Sequence, residues 1–532
     1  MQSFVLTLLI VVPFAGFIAT WAGGTTQPRA KWIALLFSLA QLALLTLILV
    51  SFWTPLDSLL GPRIVDQVPG GTSAPMSYYE RYDWVPQLGM NYILGVDGLS
   101  TSLMWLTPLL TTVAIIFHWD EEQRPREFFA LLLFLEMSLT GVFMSLDFFL
   151  FFVFWELVLI PMFFLIGIWG GPNRRYAALK FLVYTHVASV IMLLGIFSLY
   201  FSVSATANQA IYGVNANTFD MTVFLEAARR HALNPSFAYI PLATQAPIFL
   251  AFLFGFVVKL PSFPFHTWLP DAHVEAPTGG SVLLAGVLLK MGGYGIFRIN
   301  LQMLPDASKD LWWVMAILGT TSMIYAAFVC LAQTDLKRMI AYSSVGHMGF
   351  VTLGASTLTV LGVEGGIFQL FNHGLITAVL FMLAGSVKHS TGTREIPRLQ
   401  GLAKVMPTFS IVLIVGFFAS LGLPGLNSFW SEFLVFLGTY SATALGPWRA
   451  IVIIPMISIV VTAAYYLYTM QRILFGEATP EIEKSHDLMP WEKISYAVLV
   501  VLIFAVGFLP FAFLGLIDTF ARTGLPWLFG GP

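Results

Sequence analysis

The sequence predicts an all-α, polytopic membrane protein, and three observations carry that prediction. Of 532 residues, 58% are hydrophobic and only 10% charged, with a mean hydropathy of +0.82. Soluble domains carry about 25% charged residues, so lipid is this chain's solvent. Apolar stretches of about 20 residues, each long enough to cross a bilayer core, recur from end to end. They show no period-2 alternation, which selects helices over a barrel.

About fourteen transmembrane helices are predicted, at 3–20, 32–53, 93–117, 127–146, 148–169, 177–203, 247–268, 278–300, 310–331, 340–360, 363–387, 407–441, 450–474 and 494–517. The first has no basic region before it and no small-residue cleavage site, so it reads as a retained helix. The seventh is broken by Pro261 and Pro264 beside Lys259. The twelfth is too long for one straight helix and contains "LGLPGLNS", which predicts two half-helices around Pro424. The longest polar loops are 54–92 and 204–246; the second holds "MTVFLEAARRHA", a candidate surface helix.

Broken helices at corresponding places predict inverted repeats with discontinuous spans 7 and 12 and two ion sites near mid-membrane. Four segments follow: 1–126 with spans 1–3 and an outer loop, 127–302 as a first half-channel repeat, 303–475 as a second, and 476–532 with span 14. Loops after odd-numbered spans carry sixteen Lys and Arg, against eight on the opposite side. The positive-inside rule puts the first set in the cytoplasm and both termini on the outer side.

One cysteine, Cys330, excludes an internal disulfide, and an iron–sulfur cluster needs about four thiolates. Neither a G-x-G-x-x-G after a strand nor a G-x-x-x-x-G-K-[ST] loop is present. Redox chemistry and nucleotide hydrolysis are therefore not expected of this chain itself, and nothing points to nucleic acid.

What remains is charge inside apolar runs: Glu136, Glu156, His186, Lys259, Lys290, His347, His373 and Glu432. A Lys or Asp at a helix centre costs about 2.5–3.5 kcal/mol on insertion scales, so such groups face protein or water and pair with one another. The set mixes acid, base and imidazole over many spans, which points to a proton relay; structural interhelical bonds are the competing reading. Lys259 is the sharpest case. Burial and a nearby carboxylate pull a lysine's proton affinity in opposite directions, the helix break admits water, and Glu156 is the natural partner acid. Lys290, one span later, is placed to pass the proton onward, and an imidazole such as His347 or His373 titrates near pH 6.5. Glu432 ends the series. The run "HTWLPDAHVEAPT" adds His266, Asp271, His273 and Glu275; the prolines make it irregular and favour a cytoplasmic gate or support of the helix break over metal binding. Cys330 reads as inert packing.

The run "KLPSFPFHTWLPDAHVEAPTGGSVLLAGVLLKMGGYG" resembles the central signature of the antiporter-like subunits of complex I, which are themselves similar to the large subunits of multi-subunit sodium/proton antiporters. "LFFVFWELVLIPMFFLIGIWGG" and "DLKRMIAYSSVGHMGF" resemble further blocks, so the likeness spans nearly the whole chain. "GLPGLNSFWSEF" places Glu432 where L and N types usually carry lysine, and the chain ends soon after its last span; both match the M type, although the long 54–92 loop departs from it. The resemblance implies that Glu156 and Lys259 form the ion pair of a first half-channel, Lys290 and His347 the connecting residues, His373 a neighbour on that axis and Glu432 the outlet carboxylate. It implies a proton-translocating subunit of a quinone-reducing respiratory enzyme, with L- and N-type subunits beside it and a peripheral arm carrying iron–sulfur clusters and flavin. The setting implied is an energy-converting membrane: a bacterial or archaeal cytoplasmic membrane, a thylakoid or an inner organelle membrane. A sodium/proton antiporter subunit or a hydrogenase-linked ion pump is the alternative.

Overall fold

A computed structural model describes residues 4–54, 78–234, 236–237, 239–442 and 450–529. Among these, helix dominates. α1 (Val5–Gly23) and α2 (Gln27–Ser51) lead to a hairpin of β1 (Tyr78–Val85) and β2 (Met90–Val96). There follow α3 (Gly98–Phe117), α4 (Pro125–Met144), α5 (Phe148–Trp169) and α6 (Arg174–Ser202), then the short α7 (Ser204–Tyr212) and α8 (Met221–Leu233). Next come α9 (Leu242–Lys259), α10 (Trp268–Glu275), α11 (Thr278–Leu301), α12 (Trp312–Leu331), α13 (Leu336–Ser356) and α14 (Val360–Thr391). The last are α15 (Pro407–Ser420), α16 (Asn427–Ser441), α17 (Ala450–Leu474), α18 (Pro490–Phe508) and α19 (Phe511–Gly524).

Twelve of these helical stretches are long and apolar enough to cross a membrane, and α15 is a shorter apolar helix. Helix occurs at each of the fourteen predicted places. α13 is helical over 21 residues but is more polar than its neighbours, and the twelfth place is the pair α15 and α16. The centre of the bundle is α11 and α14, whose most apolar windows are wholly buried. The lipid-facing elements are outside: Val183 and Val187 on α6, Val460 and Leu467 on α17, and Val501 on α18 are all exposed apolar groups.

Aspartates set several helix starts. An N-cap carboxylate accepts first-turn N–H groups that have no partner within the helix. Asp97 does this for α3 (Leu99 N and Ser100 N, both 3.1 Å), Asp147 for α5 (Phe149 N, 2.9 Å), Asp220 for α8 (Thr222 N, 2.8 Å) and Asp335 for α13 (Arg338 N, 2.8 Å).

Several expectations are corrected. Of the predicted 54–92 loop, residues 55–77 lie outside the described residues, and 78–92 is not loop. The run "YYERYDWV" is rich in aromatic and β-branched residues that suit a pleated surface, and it pairs antiparallel with β2, Tyr82 opposite Tyr92. The third span therefore starts at Gly98 and not at 93. The hairpin also serves α1: Glu80 accepts from Leu6 N at 2.7 Å, Thr7 N at 3.1 Å and Thr7 Oγ1 at 2.6 Å. The seventh span ends at Lys259, short of the predicted 268. The predicted last span, 494–517, is two helices, because Pro510 lacks the N–H a continuing helix needs; α19 turns away and carries an Arg522–Asp518 pair. α11 contains two wider, π-type turns, at 284–288 and 296–301, which its sequence did not announce.

Candidate functional site

Both predicted helix breaks are present. After Lys259, residues 260–267 form turns before α10. Between α15 and α16 the chain turns through Gly422 (φ +69°) and Gly425 (φ +90°), a left-handed conformation that glycine adopts without a Cβ penalty.

At the first break, Lys259 is 1% exposed. Its ammonium has no hydrogen-bond partner among the described residues and lies 5.4 Å from the Trp155 ring centre and 6.0 Å from that of Phe181. The expected Glu156–Lys259 contact is not made. Glu156 turns to α6 instead, where one carboxylate oxygen meets His186 Nδ1 at 2.7 Å. Among the described residues its other oxygen is buried and unpartnered, as is Ser262 Oγ in the break. Buried polar atoms of this kind are satisfied by ordered water, which fits a wet break joining Glu156 to Lys259.

Close packing brings the next cation in. Gly292 lies on the broken end of α9: a Cβ there would stand 2.5 Å from Phe256 O and 2.8 Å from Leu260 N. Without one, α11 closes on α9 and places Lys290, fully buried, in the bundle's centre. Its ammonium donates to Ala285 O, a carbonyl in the first wide turn of α11, and meets His373 Nδ1 at 2.7 Å. The His373 and His347 ring centres are 5.4 Å apart. His347 Nδ1 is 3.6 Å from Glu432 Oε1, near enough for an ion pair but too far for a hydrogen bond. Gly422 backs Glu432; a Cβ on it would stand 2.5 Å from Oε2. A cavity of about 20 Å³, room for about one water, is lined by His347, Glu432, Ser343, Ser458 and Thr462.

Four of the six predicted residues thus form one buried line, Lys290–His373–His347–Glu432. Lys259 and Glu156 sit near its α9 end without direct contact between them. Glu136 lies apart, between α2, α3 and α4, accepting from Ser38 Oγ at 3.3 Å. The residues after the first break brace it. Asp271 pairs with Lys180 (2.7 Å) and Arg338 (3.3 Å), and Glu275 accepts from Asn173 N at 2.9 Å. His266 packs against Phe263, Tyr325 and Tyr342, and His273 stacks on Phe381 at 4.2 Å.

A search confined to charge passes over the neutral partners. Gln369 Nε2 approaches His347 Nδ1 at 3.3 Å, Ser420 Oγ approaches its Nε2 at 2.8 Å, and Tyr466 OH reaches Ser420 at 2.7 Å. The available signal was "FQLFNHG", where Gln369 and Asn372 interrupt an apolar run beside His373.

Residues 145–462 match a family described as "NADH:quinone oxidoreductase/Mrp antiporter, TM". The chain belongs to this family. It is 42% identical over 509 residues to F(420)H(2) dehydrogenase subunit M of Methanosarcina mazei, covering 95% of each chain. It is 37% identical over 513 residues to NADH-quinone oxidoreductase subunit M of Rhodobacter capsulatus, covering 95% of this chain and 93% of that one. Among solved structures it resembles a chain of respiratory complex I from Thermus thermophilus, with 26% identity, a TM-score of 0.79 and coverage of 97% and 99%. The M-type resemblance read from Glu432 and the flanking motifs is therefore shared by relatives over almost the whole chain. Those relatives are named as subunits of oxidoreductases.

Proposed function

We propose that this chain moves protons across the membrane as a non-redox subunit of a quinone-reducing respiratory complex. The observation that carries this is the line Lys290–His373–His347–Glu432, buried throughout and set between two helix breaks. Each member binds or releases a proton, and each break exposes backbone groups that hold water. In this reading Glu156 and Lys259 load the line. Charge movement in partner subunits changes how strongly Lys259 feels Glu156, and Lys259 exchanges its proton with Lys290. The imidazoles pass it to Glu432 and thence to the outer side.

The rest of the arrangement follows from the same reading. Segments 127–302 and 303–475 are the two half-channels. Both termini face outward, L- and N-type antiporter-like subunits flank the chain, and a peripheral arm with iron–sulfur clusters and flavin carries the electrons. The redox-linked reading is favoured over a gradient-driven sodium/proton antiporter because the relatives at 42% and 37% identity are oxidoreductase subunits.

Lys259→Ala in the assembled complex, reconstituted in vesicles, tests this. We expect quinone reduction to continue with fewer protons moved per electron. Wild-type stoichiometry in the variant would overturn the reading.

A further inference from the structure

His347 has two nitrogens and two different neighbourhoods. Nδ1 faces Glu432 and the Gln369 side-chain amide, while Nε2 faces Ser420 and, through it, Tyr466. Which nitrogen carries the proton decides what the ring can do, and a neutral imidazole's tautomer follows from the bonds its nitrogens make.

Gln369 is fully buried, and its orientation is fixed from behind. Its far atom lies 2.5 Å from Ser431 Oγ, a length that suits O–H···O and is short for N–H···O. Ser431 Oγ also accepts from Asn372 Nδ2 at 3.2 Å. Asn372 is itself held by donating to Asn427 O at 3.0 Å while Asn427 Nδ2 donates back to Asn372 O at 3.2 Å. Ser431 has one hydroxyl proton and a second acceptor in reach, Ser428 O at 2.9 Å, but the Gln369 contact is too short for an amide N–H to be the donor. Ser431 therefore donates to Gln369 Oε1, and the Gln369 N–H₂ points at His347. That group can only donate, so Nδ1 is the bare nitrogen and the ring proton sits on Nε2, bonded to Ser420 Oγ.

We propose that Gln369 is a positioning residue that fixes His347 as the Nε2–H tautomer, so that protons pass through Nδ1 to Glu432 and not through Nε2 to the Ser420–Tyr466 hydroxyls. A proton taken up by the bare Nδ1 gives imidazolium, with N–H facing N–H₂, an arrangement that does not persist. Release from Nδ1 to the Glu432 carboxylate yields the carboxylic acid and restores the starting tautomer. Release from Nε2 to Ser420 leaves Nδ1–H still opposed to the amide. Gln369 thereby favours one exit over the other. The consequence for transport rests on the proton-carrying reading above; the tautomer does not.

The test is isotope-edited infrared spectroscopy of the assembled complex with ring-labelled histidine, using His347→Gln as the blank. The ring C–N stretch distinguishes the two tautomers. The wild-type band should report Nε2–H. In Gln369→Glu, a near-isosteric carboxylate accepts from Nδ1–H; the band should move to the other tautomer, and protons moved per electron should fall. Gln369→Met, of similar volume but with no donor, should show both tautomers and serves if the first variant does not assemble. A wild-type Nδ1–H band, or a Gln369→Glu band that stays in place, would overturn the assignment of the tautomer. A moved band with unchanged stoichiometry would overturn the directing role. The spectrum is read whether or not the chain pumps, so its failure is distinct from failure of the proposed function.

Discussion

At the scale of single residues, Glu432 shows how much a charge in lipid depends on what backs it. The carboxylate is 8% exposed and meets His347 on one side and the left-handed turn at Gly422 on the other. Gly422→Ala would put a methyl 2.5 Å from Glu432 Oε2 and hold a Cβ at φ +69°, a conformation that costs L-residues about 1–2 kcal/mol. We expect a lower melting temperature for the purified complex and reduced proton transport, both read on the same preparation. The six candidate residues stood out in the sequence because charge within an apolar run is conspicuous. Their partners did so less. Glu156 was matched to Lys259 by chemistry and by the family resemblance, yet half-exposed His186 on α6 takes that carboxylate. Gln369, Ser420 and Tyr466 are neutral; Gln369 interrupts an apolar run beside His373, but nothing in a linear reading separates Ser420 and Tyr466 from other polar residues that bond back to their own helix.

At the scale of elements, the fourteen helical places were legible from hydropathy, while their ends were set by groups hydropathy does not weigh. Asp97, Asp147 and Asp335 mark starts that a capping rule recovers, including the shift of the third span to Gly98. The hairpin was hidden because its strands sit within a long polar segment, and Glu80 reaches back across the sequence to cap α1. Asp487 is a comparable long-range cap, accepting from Thr408 N at 3.0 Å and Phe409 N at 3.1 Å at the start of α15. Partial burial pushes its carboxyl up, but the hydrogen bonds from Thr408, Leu488 and Phe409 outweigh this and hold it below the usual carboxylate range. A depressed folded pKa contributes stability that is present above the unfolded value and lost as pH falls through the folded one. Relative to the intrinsic rate at each pH, exchange of the Thr408 and Phe409 amides should therefore quicken as pH falls from about 4, the unfolded carboxylate value, towards the lower folded one. Asp487→Ala should produce the same quickening at neutral pH, at a cost of about 1 kcal/mol. Equal exchange in the variant and the wild type would remove Asp487 as the anchor.

At the scale of the molecule, the bundle places its most hydrophobic surface outward and its ionisable groups along the centre, where the most apolar windows of α11 and α14 are wholly buried. Each break interrupts a helix near that centre: α9 ends at Lys259 against α11, and the α15–α16 turn sets Glu432 against His347 on α13 while Asn427 and Ser431 tie α16 to Asn372 and Gln369 on α14. The overall class and the two breaks were legible because lipid leaves few structural options. The closeness of Lys290 to His373, which is what makes the line continuous, depends on helix packing that includes a glycine contact and two wide turns in α11. No single stretch of sequence displays it.

His373 is one of the two inner members of the line Lys290–His373–His347–Glu432, so a line that carries protons fails without it. The most direct measurement is the number of protons moved per electron by vesicles containing the complex with His373→Leu, alongside its rate of quinone reduction. Electron transfer should be retained with a loss of this subunit's share of the protons. Unchanged proton stoichiometry in a fully assembled His373→Leu complex would contradict proton carriage along the line.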